Sequence, residues 1–157
     1  MGTSARAEAI APATPTRTYE ILTPSDPSRF YGKFGPIPAT LSVSDQTGAW
    51  DGVGQTRTLH LSDGSTVVET TKEVDAPRRF AYQLTNFTKL FGALVAKADA
   101  EWDFDAAEGG TRIRWTYTFH GKPGRGWMVA LIIKLAWAPY MREVLPKLVD
   151  EVKRVTA

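Results

Sequence analysis

Alternating apolar and polar positions define two strands in the second half of the chain. In the segments 98–104 and 113–119, apolar residues occupy every second position, and the residues between them are charged or hydroxylated. The apolar positions are Ala98, Ala100, Trp102, Phe104, Ile113, Trp115, Tyr117 and Phe119. Gly109 and Gly110 lie between the two segments and are typical of a hairpin turn. The pattern therefore predicts an antiparallel sheet with one apolar face, which another element must cover.

The end of the chain has the spacing of an amphipathic helix. After the glycine-rich segment 121–126, the apolar residues fall near one stripe when they are placed on a helix. They are Trp137, Met141, Val144, Leu145, Leu148, Val152 and Val155. Pro139 and Pro146 each lack a backbone N–H, so we expect them to bend the helix. A bent helix can follow a curved sheet, and this helix is therefore the expected cover.

Earlier segments predict two short helices and further strands. A threonine–proline pair at Thr14 predicts a helix that ends near Leu22, and an aspartate–proline pair at Asp26 predicts a second short helix to Gly32. Strands are predicted at 4–10, 40–47, 55–61, 65–74 and 79–84. No repeat or linker divides the sequence. We therefore expect a single α+β domain that spans residues 1–157.

Composition and charge exclude several function classes. The 157 residues include 19 Lys and Arg and 17 Asp and Glu, and the net charge of +2 is spread along the chain, which argues against a nucleic-acid binder. The absence of cysteine excludes disulfides and thiolate nucleophiles and favours a reducing compartment. The most apolar stretch, 127–138, contains Lys134 and is shorter than the roughly 20 residues that span a bilayer. We therefore expect a cytoplasmic monomer or homodimer with no cofactor, metal, nucleic-acid partner or stable membrane insertion.

Several short motifs resemble a known superfamily. They are Gly54-Gln-Thr-Arg57, Leu61-Ser-Asp-Gly64, Val68-Glu69, Asp75, Pro77-Arg-Arg-Phe80, Tyr82, Gly110-Thr111 and Trp115. Together they resemble the polyketide cyclase/dehydrase and lipid-transport group of the START and Bet v 1-like (SRPBCC) superfamily. The resemblance implies a helix-grip fold, in which a curved antiparallel sheet of about seven strands wraps a long C-terminal helix. It also implies two short helices after the first strand and a ligand cavity between the sheet and the long helix.

The resemblance further implies which residues face that cavity. They come from inward positions of the middle strands and from the first half of the long helix. The implied ligand-binding residues are Arg57, Leu59, Leu61, Glu69, Tyr82, Leu84, Trp102, Trp115, Tyr117, Trp137, Tyr140, Met141 and Val144. The alternation along the strands agrees for most of them, whereas the direction of Glu69 depends on a hairpin register.

The turn after Leu61 decides that register. If Asp63 and Gly64 form a two-residue turn, Leu59 lies opposite Val68 and Glu69 points away from the inner face. If the loop has three residues with Gly64 in a bulge, Arg57 lies opposite Glu69 and both face inward. We favour the bulge, because a buried arginine needs a partner of opposite charge.

Each polar candidate has a structural interpretation beside the functional one. Arg57 projects among leucines, where it either orients a carboxylate, carbonyl or phenolate of a ligand or forms a structural ion pair with Glu69. Catalysis by Glu69 would need a pKa raised by burial, and pairing with Arg57 should lower it, so we favour a structural or orienting role. Lys134 is expected to extend to the rim rather than to form an imine.

The remaining polar residues show no pattern that indicates a metal site. His60 and His120 have no metal-ligand companion at useful spacing, and the acidic positions 99–105 are typical of a solvated strand face. The segment 121–126 is interpreted as a flexible gate.

Two functions use the expected cavity. We favour binding or transport of a small, mostly hydrophobic ligand such as a lipid, an isoprenoid or a polyketide-like aromatic. The alternative is a cyclase, aromatase or dehydratase that folds a reactive chain in the same cavity and uses Arg57, Glu69 or a tyrosine to move protons. The third alternative is a protein-interaction or regulatory module in which the cavity is small or filled.

Overall fold

The computed structural model describes residues 2–157, which form one seven-stranded antiparallel sheet with helices on its inner side. The strands are β1 (Gly2–Ala11), β2 (Thr40–Ser44), β3 (Thr56–Leu61), β4 (Thr66–Asp75), β5 (Arg79–Thr85), β6 (Val95–Ala107) and β7 (Gly110–Gly121). Their order across the sheet is β1-β7-β6-β5-β4-β3-β2. Apart from β1, each strand pairs with its neighbours in sequence, as successive hairpins require. The predicted α+β helix-grip fold is confirmed.

The two short helices after β1 begin where their capping residues predict. The Thr14 hydroxyl accepts a hydrogen bond from the backbone N–H of Arg17 at 3.2 Å and caps α1 (Pro15–Leu22). The Asp26 carboxylate accepts one from the N–H of Ser28 at 2.9 Å. The second helix is a single 3₁₀ turn (Pro27–Arg29), shorter than the segment to Gly32 that the sequence predicts.

One helix was not predicted. The segment α2 (Lys89–Leu94) connects β5 to β6, and its sequence is too short to show a helical period. A Cβ added at Gly92 would lie 2.1 Å from the backbone oxygen of Phe87, so the chain crosses itself closely here and glycine is required. This helix lies at the edge of the cavity described below.

The C-terminal helix is continuous from residue 126 to residue 156 but changes its hydrogen bonding on the way. It consists of α3 (Gly126–Ile132), a π-helical turn (Ile133–Trp137) and α4 (Ala138–Thr156). In the π turn, the N–H of Ala138 bonds to the carbonyl of Ile133, five residues back. Pro139 follows directly and has no N–H to donate, which favours a wider turn at this point. No helix among residues 2–157 has both the length and the apolarity to cross a bilayer.

The core lies between this helix and the inner face of the sheet. The alternation in β6 and β7 is observed: Phe104, Ile113 and Phe119 are at most 1% exposed, whereas the residues between them face outward. Helix α4 packs on β1 and buries Met141, Val144 and Val152 completely. In the other half of the sheet, residues of β3, β4 and β5 line enclosed space instead.

Candidate functional site

The hairpin between β3 and β4 has the three-residue loop. Arg57 pairs with Glu69 and Leu59 with Val67, and the N–H of Leu61 bonds to the carbonyl of Ser65 at 2.9 Å. Gly64 has a φ of +83°, a left-handed conformation that glycine adopts without strain. The bulge register that we favoured is therefore observed, and Arg57 and Glu69 share the inner face.

Arg57 and Glu69 form a buried ion pair. The Nε of Arg57 donates to Oε1 of Glu69 at 2.7 Å, and the two residues are only 6% and 3% exposed. The guanidinium also stacks on Trp50, with 4.1 Å between its central carbon and the ring centroid. Trp50 is 1% exposed and lies in the loop before β3 with a φ of +61°. Trp50 is not among the residues predicted from the sequence, because nothing in the spacing places this loop beneath the sheet.

The guanidinium retains donors that no protein group uses. Among residues 2–157, the bond to Glu69 is the single hydrogen bond of the Arg57 side chain, so both Nη groups are unpartnered. Arg57 borders a small polar pocket of about 40 Å³, which is also lined by Glu69, Tyr31, Tyr82 and Trp102. This space accommodates a polar group of a few atoms. Tyr31 is a second lining residue that the sequence analysis missed.

Three tyrosine hydroxyls surround the pair. Tyr82 and Tyr117 are hydrogen-bonded to each other, with 3.3 Å between their oxygens. Burial raises the pKa of Tyr82 to about 12, and it raises the pKa values of Tyr31 and Tyr117 well above 10.0. These tyrosines therefore remain protonated at neutral pH and are neutral hydrogen-bond donors.

The electrostatics of Glu69 differ from the sequence-based expectation. Burial raises the pKa of its carboxyl above 4.5, and this effect is larger than the opposing effect of Arg57. Pairing with Arg57 lowers this pKa, as expected, but burial outweighs the pairing and the net direction is upward. The physical reason is the burial of the pair. Loss of hydration raises the free energy of the carboxylate by more than its attraction to one arginine lowers it.

A larger, apolar cavity lies next to the polar pocket. Its volume is about 200 Å³, and Pro27, Tyr31 and Glu69 line both spaces. Its walls include Leu59, Leu61, Val67, Leu84, Phe87, Phe91, Leu94, Phe119, Ile132, Ile133 and Trp137. For comparison, an engineered apolar cavity of about 150 Å³ holds benzene. Together, the two spaces suit a molecule with an apolar body and one polar end.

Among residues 2–157, the charged groups that line the apolar cavity are acidic, and one lining residue has an unused hydrogen-bond donor. Glu69 and Asp63 are the charged side chains among its lining residues, and no lysine, arginine or histidine lines it within residues 2–157. The indole Nε1 of Trp137 is buried in the described chain without a hydrogen-bond partner. It is thus a free donor on a residue that lines the cavity.

Most of the expected ligand-binding residues line one of the two spaces. In the apolar cavity these are Leu59, Leu61, Glu69, Leu84, Tyr117, Trp137 and Tyr140. In the polar pocket they are Arg57, Glu69, Tyr82 and Trp102. Trp115, Met141 and Val144 are completely buried but line neither space, because other side chains pack around them; Trp115, for example, lies against the rings of Tyr31, Trp102 and Tyr117. Ligand contact by any of these residues remains a prediction.

The other candidate residues lie outside the two spaces. His60 bonds to the Ser44 hydroxyl at 2.7 Å, and His120 bonds to Asp99 at 3.0 Å. No group of three potential metal ligands occurs among residues 2–157. Lys134 is exposed on the outside of the helix, away from both spaces.

Comparison with solved structures supports the fold. Ara h 8.0201 superposes with a TM-score of 0.62 at 18% identity, covering 96% of this chain and 99% of that one. XoxI from Bacillus cereus gives a TM-score of 0.67 at 11% identity, with 99% of both chains covered. MLL2253 from Mesorhizobium loti gives a TM-score of 0.68 at 12% identity, covering 96% of this chain and 97% of that one. At these identities the likeness concerns the fold alone.

Comparison at the level of sequence identifies the family. No curated protein matches the chain. The sequence model of the family described as polyketide cyclase / dehydrase and lipid transport matches residues 3–153. This family and the Bet v 1-like fold favour binding of a hydrophobic ligand. Because the match spans nearly the whole sequence and agrees with the observed fold, the chain belongs to the polyketide cyclase / dehydrase and lipid transport family of the SRPBCC superfamily.

Proposed function

We propose that this protein binds or carries a small, mostly hydrophobic ligand with one polar end, such as a lipid, an isoprenoid or a polyketide-like aromatic. The observation that carries the proposal is the shared wall between the apolar cavity and the polar pocket, formed by Pro27, Tyr31 and Glu69. Burial of the apolar body supplies the free energy of binding, at roughly 25 cal/mol per Å². The hydroxyls and the free Arg57 donors orient the polar end.

The charges favour a neutral polar end, such as a hydroxyl or a carbonyl. Glu69 already neutralises Arg57, so a ligand carboxylate would add an uncompensated negative charge to a buried site. Within residues 2–157, the charged residues that line the apolar cavity are both acidic. Burial raises the pKa of Glu69, and the same loss of hydration would disfavour a ligand carboxylate in this site, which supports a neutral end.

A comparison of two probes tests the binding site and its charge preference. Displacement of the neutral fluorophore N-phenyl-1-naphthylamine by 1-decanol and by decanoate would be measured at pH 8. We expect decanol to bind about tenfold or more tightly than decanoate, and the gap to narrow as decanoate becomes protonated near pH 5. If decanoate binds as tightly as decanol or more tightly, the proposed preference for a neutral polar end is wrong, but the ligand-binding function is not contradicted. No binding of the fluorophore or of either probe would contradict the ligand-binding function.

A cavity-filling variant locates the binding site. Leu61→Trp places a larger side chain at the cavity wall and should abolish fluorophore binding. Leu41→Trp is the matched control, since Leu41 is 62% exposed on β2 and lines neither space. Native mass spectrometry of gently purified protein would then identify any copurifying ligand.

One observation favours an enzymatic alternative, a cyclase, aromatase or dehydratase. The raised pKa of Glu69 brings a carboxyl group closer to the range useful for proton transfer, next to Tyr82 and Tyr117. With a linear poly-β-ketone thioester as substrate, Glu69→Gln would then abolish turnover and leave binding intact. If the wild-type protein binds this probe without converting it, the carrier function is retained.

A further inference from the structure

Four large apolar side chains project into solvent beside the cavity. Leu90 on α2 is 76% exposed, and Trp127, Leu131 and Leu135 on the C-terminal helix are 69%, 51% and 66% exposed. We call these four residues the apolar patch. The three helical members are spaced four residues apart, which places them on one side of the helix. The opposite side, with Val129 and Ile133, is buried. The patch is therefore not part of the core.

The fold brings the two segments that carry the patch together at the cavity. The N–H of Lys122, in the loop before α3, donates to the carbonyl of Leu94 at the end of α2, with a distance of 2.8 Å. Leu90 itself lines the apolar cavity, as does Ile132, the neighbour of Leu131. The outside of this wall is thus apolar as well as the inside.

The same two segments are basic and contain no acidic residue. Segments 86–98 and 121–142 carry six of the 19 lysines and arginines and none of the 17 acidic residues. They are Lys89, Lys97, Lys122, Arg125, Lys134 and Arg142, and all six are exposed. Lys89 also donates to the backbone carbonyl of Asp63 at 2.7 Å. The rest of the chain has 13 basic and 17 acidic residues, so the positive charge is concentrated in these two segments and is not spread along the chain as we expected.

We propose that this face docks on the surface of an anionic phospholipid membrane. Trp127 and the leucines enter the boundary between head groups and acyl chains, and the basic side chains around them contact lipid phosphates. The protein would lie on the bilayer with its cavity wall against the lipid. Docking is distinct from ligand binding, and neither proposal requires the other.

Two other occupants fit the face less well. A second copy related by a two-fold axis would bring Lys122, Arg125 and Lys134 against their own equivalents, where like charges repel. An acidic protein would satisfy the charges. However, the apolar side chains project from the outside of a helix instead of lining a groove, and tryptophan is a residue of membrane interfaces.

Vesicle sedimentation tests the proposal with the full chain. Vesicles of phosphatidylcholine alone would be compared with vesicles that contain about 30% phosphatidylglycerol, at low salt and at about 0.5 M salt. We expect sedimentation with the anionic vesicles only, and its loss at high salt. Lys122→Glu combined with Arg125→Glu should weaken binding about thirtyfold or more, and Trp127→Ala about tenfold.

Matched surface variants serve as controls. Lys72→Glu combined with Lys153→Glu makes the same charge change at exposed positions elsewhere, and Leu41→Ala removes an exposed apolar side chain from β2. Both controls should bind vesicles like the wild type, and fluorophore binding should be unchanged in every variant. The proposal is overturned by failure to bind anionic vesicles, by equal binding to phosphatidylcholine, or by controls that weaken binding as much as the patch variants. A dimer in light scattering that Trp127→Ala dissociates would assign the face to a second copy.

Discussion

The C-terminal helix packs differently along its two parts. Along most of α4 the interior is filled: Met141, Val144 and Val152 are completely buried and border neither space, whereas Tyr140 and Leu148 reach the edges of the cavity and of the pocket. Along α3 and the π turn, Ile132 and Trp137 border the apolar cavity, and the outer side of the helix is apolar and exposed. Continuous packing stabilises the fold at one end, whereas the space at the other end leaves room for a ligand. The core therefore has two separable parts, a filled part that stabilises the fold and an open part with space for a ligand.

Two leucine-to-alanine substitutions should separate these parts. Leu145 is 2% exposed on α4 and borders neither space, so Leu145→Ala should lower the free energy of unfolding by about 4 kcal/mol. Leu59 is 5% exposed on β3 but already faces the cavity, so Leu59→Ala should cost about 2 kcal/mol or less. Urea denaturation measures both values, and fluorophore titration should show a changed affinity for Leu59→Ala only. Equal costs for the two variants would contradict the distinction between a filled and an open part.

The Arg57–Glu69 ion pair lies in the open part of the core, yet breaking it should cost more stability than Leu59→Ala does. Arg57→Met leaves Glu69 buried without a partner, which should cost about 3 kcal/mol. Arg57→Met combined with Glu69→Leu replaces the whole pair by apolar groups and should recover most of that loss. Arg79→Met is the control, because Arg79 pairs with Glu73, Glu101 and Asp103 in a partly exposed network and should cost about 1 kcal/mol or less. A double variant as unstable as Arg57→Met would mean that Arg57 acts through packing on Trp50 instead.

Much of the fold could be predicted because its signals are local. Alternation in β6 and β7, the caps at Thr14 and Asp26, and the glycine at position 64 each act within a few residues, and each feature is observed. The inward direction of Glu69 followed from the last of these signals together with the need of Arg57 for a partner.

The parts that could not be predicted depend on distances between elements. Trp50 stacks on Arg57 only because a loop with a left-handed residue turns beneath the sheet, and no period in the sequence records that contact. Trp115 and Val144 have the same alternation or helical spacing as residues that line the cavity. They differ because neighbouring side chains fill the space around them, which is a property of the whole packing. The net direction of the Glu69 pKa likewise depends on the depth of burial.

The smallest expected effect is a dependence of stability on pH, and it comes from the carboxyl group of Glu69. Its pKa is raised in the folded protein above 4.5, so the folded state holds the proton more tightly than the unfolded state does. The stability that this group contributes is therefore fully present below about pH 4.5 and is lost as the pH rises through the folded pKa. Glu69→Gln removes the titrating group and keeps the shape of the side chain.

The measurement is the free energy of unfolding of both proteins across this pH range. We expect the stability of the wild type relative to Glu69→Gln to fall as the pH rises, because ionisation in the buried site costs more than ionisation in water. Ser65→Ala tests the opposite sign, since Ser65 lowers the pKa of the exposed Asp63 and its contribution is lost as the pH falls. A wild-type stability that instead rises relative to Glu69→Gln would mean that Arg57 outweighs desolvation. That outcome would remove the support that the raised pKa of Glu69 gives to a neutral ligand end, which would then rest on the charge balance of the ion pair alone.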